Sequence, residues 1–107
     1  MAVLGKKTKA EQFLAGMIKH RGIEFARLGM MVEVEGDLGT IAGMNSSANL
    51  DVRFANQLKH GKHVHNCHPT WKVKYFDEKG TVIAHFDDCT CVFRPGKPDA
   101  AVNEATN

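Results

Sequence analysis

The sequence predicts a mainly β protein: a small, partly open, curled barrel of five or six antiparallel strands with one N-terminal α-helix. Three observations carry that reading. Between Met30 and Phe86 apolar and polar residues alternate in short runs, the period of strands with one buried face. Glycine-marked turns separate the runs within about 65 residues, the density of a small barrel. Helical spacing of apolar residues occurs in the stretch from Lys9 to about Arg21.

Residues 1–8 are small and basic without pattern, and are expected to be a flexible end. Thr8 with Glu11 three positions on has the capping-box spacing. Phe13, Leu14, Met17 and Ile18 make one apolar stripe, suited to covering an open end of the barrel. Lys19, His20 and Arg21 suit the last turn, and Gly22 is the stop. Ile23–Leu28 is an extended link. Val32 and Val34 alternate with Glu33 and Glu35, and Gly36-Asp37-Leu38-Gly39 reads as the turn that follows. Ile41 returns to the core face, and Gly43 marks a bulge. Asn45–Asn49 is a polar turn. Leu50, Val52 and Phe54 form the inward face of the next strand. Ala55–Pro69 is a long connection without periodicity. Trp71 and Val73 read as core, with Tyr75 partly exposed. Asp77-Glu78-Lys79-Gly80 is a hairpin turn, Thr81–Phe86 its return strand, and Cys89–Arg94 a short last strand. The expectation is a single domain over 9–94, with the helix at 9–21 and the barrel at about 23–94, and a disordered tail over 95–107.

A chain of 107 residues with 43% hydrophobic residues supports one modest core. No apolar run approaches the roughly 20 residues of a membrane span, and Met1–Lys7 lacks a signal-peptide core, so a cytoplasmic protein is expected. The odd set Cys67, Cys89 and Cys91 fits free thiols in a reducing compartment better than a disulfide scaffold.

The net charge is only +2, but its distribution is uneven. Residues 52–76 hold Arg53, Lys59, Lys62, Lys72 and Lys74 and no acidic residue. Acidic residues gather at Glu33–Asp37 and Asp77–Asp88. This predicts a basic face for nucleic acid or a nucleoprotein, with Tyr75 available to stack on a base. The alternative reading is a protein-interaction or structural module, in which these charges only solvate exposed strand faces.

Gly29–Gly43 resembles the KOW motif of SH3-like barrels. Val32 and Val34 precede a turn, and Gly39, Ile41 and Gly43 keep the motif's glycine-hydrophobic-glycine spacing. The resemblance implies an SH3-like, KOW-type partly open barrel. Glu33, Glu35 and Asp37 stand where ribosomal and transcription-factor members are often basic. Asn66-Cys67-His68-Pro69-Thr70-Trp71 followed by Tyr75-Phe76-Asp77 is similar to small uncharacterised proteins of tailed bacteriophages and prophages. That likeness implies a bacterial host cell and brings no activity.

His60, His63, His65, Cys67 and His68 are ligand types that zinc prefers. Their spacing matches no standard zinc module, and the favoured alternative is an exposed loop that happens to be rich in histidine, with Cys67 or Cys91 a small core residue. Several histidines beside Lys59 and Lys62 also fit a pH switch. No catalytic fingerprint is present, and His68 would point away from Cys67 in an extended chain. The expectation is therefore a binding module rather than an enzyme.

Overall fold

A tight hairpin sets the geometry of the sheet. In the computed structural model, which describes residues 8–96, β1 (Met31–Val34) and β2 (Asp37–Met44) pair antiparallel, with Val34 opposite Asp37. Only Glu35 and Gly36 remain for the turn, at φ 51° and 90°. Two positive φ values make the type I′ geometry whose twist matches that of the flanking strands. The turn therefore comes earlier than the Gly36–Gly39 segment expected. Gly39 serves another purpose. A Cβ there would lie 2.6 Å from Val52 Cγ1 and 3.0 Å from the Arg53 carbonyl oxygen. It is the close-approach point between β2 and β3 (Leu50–Phe54).

The remaining elements are α1 (Lys9–Arg21) at the start, then α2 (Gln57–His60), β4 (His65–Cys67), β5 (Lys72–Phe76), β6 (Val82–Asp87) and β7 (Thr90–Phe93). All strands form one antiparallel sheet in the order β4-β3-β2-β1-β5-β6-β7. Among the described residues there are seven strands rather than five or six. The sheet is not closed, since β4 and β7 end the order without pairing. The additional strand is β4, with α2 just before it, inside the stretch read as an aperiodic loop. Three residues are too few to display a period of two. The pairing of Leu50 with Cys67 and of Val52 with His65 is what makes β4 a strand. The bulge expected at Gly43 is present: the register shifts between Ile41 and Gly43, which leaves Ala42 as the extra residue.

The helix follows its sequence signals. Thr8 Oγ1 accepts from Glu11 N–H at 3.1 Å, and Glu11 Oε1 accepts from Thr8 N–H at 2.8 Å. Gly22 caps the other end at φ 67°. Phe13 and Met17 are buried, whereas Ile18 is exposed, so the stripe is narrower than expected. Arg21 fastens the C-terminal end of α1 to the β2–β3 turn. Its Nε donates to Ala48 O at 3.1 Å, and its Nη2 donates to Asn49 Oδ1 at 2.6 Å.

The core lies between α1, the segment after it and the inner face of the sheet. Ile23, Phe25 and Ala26 are buried, so the expected link is a core segment. Phe25 meets Tyr75 edge-on with ring centroids 5.1 Å apart. Tyr75 is fully buried, while Trp71 is 42% exposed, the reverse of the expectation. Period-two alternation does place Tyr75 on the inner face with Val73. Its hydroxyl is satisfied there by donating to Pro69 O at 2.6 Å. Trp71 precedes β5, in the turn where its N–H reaches His68 O. The expectations for residues 1–7 and 97–107 lie outside the described residues.

Candidate interaction surfaces

The five cations expected to form a basic face are spread across the sheet and largely paired. Lys59 Nζ lies 3.0 Å from Asp37 Oδ2. Lys72 Nζ lies 2.9 Å from Asp87 Oδ1 and 3.5 Å from Asp88 Oδ1. Lys74 Nζ lies 3.8 Å from Glu33 Oε2. Sheet register makes these pairs: Glu33 stands opposite Lys74, and Lys72 opposite Asp87. The hydrogen bond that Lys72 donates lowers the Asp87 pKa, and the same bond raises that of Lys72. The hydrogen bond from Lys59 holds Asp37 below its ordinary value, against the opposing effect of burial. Arg53 donates from Nε to Lys62 O at 3.2 Å. Two strands, β2 and β1, separate it from β5, a separation of about 14 Å at ordinary strand spacing. Tyr75 is in the core and offers no stacking face. The acid-free run in sequence is thus interleaved with carboxylates in space.

The histidine and cysteine set is also divided. His60 Nε2 lies 3.1 Å from Asp37 Oδ2, and the ring stacks on Phe54 at 4.2 Å. His65 Nε2 lies 2.6 Å from His60 O, and since a carbonyl oxygen only accepts, Nε2 is the donor. The His63 and His65 ring centroids are 4.5 Å apart. Cys67 is half-buried, and burial pushes its thiol up to about 11, so it is protonated at neutral pH. His68 sits beyond β4, where Nδ1 accepts from Thr70 N–H at 3.2 Å. Burial, and then the Arg21 guanidinium, lower its pKa. Cys89 and Cys91 belong to the opposite end of the strand order from β4. Among the described residues no group of three or more His, Cys, Asp or Glu side chains is placed to hold a metal ion.

An apolar groove lies at the other end of β5, a site that sequence reasoning missed. It has a volume of about 800 Å³. Its walls are Phe25, Leu28, Met30 and Met31 on one side and Phe76 and Ile83 on the other. Arg27, Asp77, Glu78 and Lys79 form its polar border. Arg27 Nη1 donates to the carbonyls of Glu24 and Ala26, which turns that guanidinium onto backbone. Asp77 Oδ1 accepts from the N–H groups of Lys79 and Thr81, both at 2.9 Å, and so fixes the β5–β6 turn that makes the second wall. The one available signal was the apolar pair Met30-Met31. Successive strand residues face opposite ways, so a pair of large apolar residues leaves one of them off the core.

The class defined by these features is a mainly β protein: an open, seven-stranded antiparallel sheet with an N-terminal helix against its inner face. Among the described residues no helix is long and apolar enough to cross a membrane. No family model, no curated protein and no solved structure matches the chain.

Proposed function

We propose that this chain is a non-enzymatic protein-binding module that takes an apolar segment of a partner protein in the groove between Phe25–Met31 and the β5–β6 hairpin. The observation that carries this reading is the groove itself, with six large apolar side chains lining about 800 Å³ of open space. That volume falls within the range of sites that enclose a small ligand or a few side chains. The two methionines favour an adaptable surface, since their unbranched, polarisable side chains repack around different shapes. The pairing of Lys59, Lys72 and Lys74 with carboxylates favours this reading over nucleic acid, because a paired cation releases fewer counterions on meeting a phosphate. The Gly39, Ile41 and Gly43 spacing of the β1–β2 hairpin supports relating the curled sheet to KOW-type SH3-like barrels.

Selection from a random peptide library tests the function. Enriched peptides are expected to carry two or more large apolar residues. Their binding is expected to change little between low and moderate salt, and to fall at least tenfold in Met31→Glu. Met31 lies at the half-exposed wall of the groove, so that change leaves the core intact. Failure to enrich any peptide, together with oligonucleotide affinity that falls steeply with salt, overturns the proposal in favour of a nucleic-acid module.

A further inference from the structure

We infer that Arg21 and His68, beside the β2–β3 turn, form a site for a phosphate group. Neither residue lines the apolar groove, and the inference does not depend on that groove's role. Arg21 is half-buried at the end of α1, and neutral acceptors hold its guanidinium in place. Nε donates to Ala48 O at 3.1 Å, and Nη2 donates to Ser47 O at 3.1 Å and to Asn49 Oδ1 at 2.6 Å. None of these partners is a carboxylate, and Arg21 has no ion-pair partner among the described residues. Asp51, the carboxylate that the same hydrogen-bond network reaches through Asn49 and Asn66, takes its bond from Asn66 Nδ2 at 3.3 Å instead. Arg27 and Arg53 also lack a carboxylate, but both are exposed, where water solvates the charge. Arg94 is paired with Glu24. Arg21 is thus the half-buried arginine whose charge the described residues leave unbalanced.

Hydrogen-bond counting says what would balance it. The N–H groups of Nη1 remain, and Nη1 lies 3.3 Å from Nε2 of the exposed His68. The other ring nitrogen, Nδ1, accepts from Thr70 N–H at 3.2 Å. Burial, and then Arg21 itself, lower the His68 pKa, so the ring is neutral at neutral pH. A neutral imidazole has one nitrogen that accepts and one that donates. With Nδ1 accepting from the backbone, Nε2 carries the proton and turns an N–H toward Nη1, which has only N–H groups to offer. The other tautomer moves the shortage without removing it: Nε2 then accepts from Arg21, and Thr70 N–H loses its partner. In both cases the site is one acceptor short and carries a full positive charge. Water supplies an acceptor but no charge, whereas an oxyanion supplies both, through charge-assisted hydrogen bonds. A phosphate group suits the site better than a carboxylate. It brings three strong acceptor oxygens to the N–H groups of Nη1 and Nε2, and a larger negative charge. Two or three such bonds at an open site give a dissociation constant on the order of 1 mM.

Titration of the full chain with inorganic phosphate at constant ionic strength, followed through the NMR signals of the histidine rings and arginine side chains, tests the inference. Saturable shifts at His68 and Arg21 are expected, with a midpoint on the order of 1 mM. His68→Glu places a carboxylate beside Nη1 at an exposed position, so the fold is kept and phosphate is expected to bind at least tenfold more weakly. Arg53→Gln, which removes a cation elsewhere on the sheet, is expected to bind like the wild type. Acetate is expected to bind the wild type at least tenfold more weakly than phosphate. Shifts that do not saturate, that spread evenly over the histidines and arginines, or that persist in His68→Glu overturn the inference, as does acetate that binds as tightly as phosphate. A parallel titration with methyl phosphate separates the two sources of the ligand. Equal binding of methyl phosphate points to a phosphate carried on a larger molecule, binding of inorganic phosphate alone points to the free ion, and each of these results upholds the site.

Discussion

Tyr75 and Trp71 show what decides the fate of an aromatic residue. Both belong to the same stretch, yet Tyr75 is fully buried and Trp71 is 42% exposed. A buried phenol needs a partner, and Tyr75 Oη donates to Pro69 O at 2.6 Å. Tyr75→Phe removes that donor and strands the carbonyl. The expected loss is about 1–3 kcal/mol of unfolding free energy, read from a denaturant midpoint at unchanged slope. Trp71→Ala should cost under about 0.5 kcal/mol, the size of ordinary surface changes. Equal losses from the two substitutions would contradict this assignment of core and surface. At the same scale, Gly39 is there for proximity rather than for a turn, since any Cβ would meet Val52 Cγ1 at 2.6 Å.

At the scale of the element, the α2 segment illustrates structure held by side chains rather than by propensity. Four residues cannot sustain a helix alone. Asn56 caps it, and Asp37 on β2 clasps it through Lys59 and His60. The Lys59 hydrogen bond holds the Asp37 pKa below its ordinary value. A depressed carboxylate pKa stabilises the fold above the unfolded-state value, near 3.9 for aspartate. That contribution is lost as pH falls through the lower folded-state value. Asp37→Asn should therefore be less stable than the wild type at neutral pH, with the gap closing below about pH 4. Stability curves of the two proteins against pH check this. A gap that persists at pH 2 would mean that the clasp works through shape and not charge.

The whole molecule depends on one shared core. Met17 on α1 is fully buried together with Val32, Val52 and Tyr75 of the sheet, and Arg94 reaches back from beyond β7 to Gly22 O at 2.8 Å and to Glu24. Arg94 also lies over the Phe25 ring, 5.2 Å from its centroid. Helix and sheet should unfold together. Met17→Ala is expected to cost about 2–5 kcal/mol while a single transition is kept. Helical and near-ultraviolet dichroism signals lost at different denaturant concentrations would show α1 to be a separate unit.

The helix, its two caps, the bulge beside Gly43, the Asp77–Gly80 turn and six of the strands were legible in the sequence. Each depends on residues within a few positions of one another, and local geometry fixes their spacing. β4 was not legible, because its pairing with β3 is non-local and its three residues are too short for a pattern. The basic face was misjudged for a related reason. Absence of carboxylates along residues 52–76 says nothing about which carboxylates arrive beside them: register brought Glu33 and Asp87, and the seating of α2 brought Lys59 to Asp37. The groove needed two chain segments, 25–31 and 76–83, that only the assembled sheet sets side by side. By itself, then, the sequence determined the helix, the longer strands and the alternation along them. The tertiary structure decided which charges cancel and where an apolar cleft stays open, because both depend on distances between residues far apart along the chain.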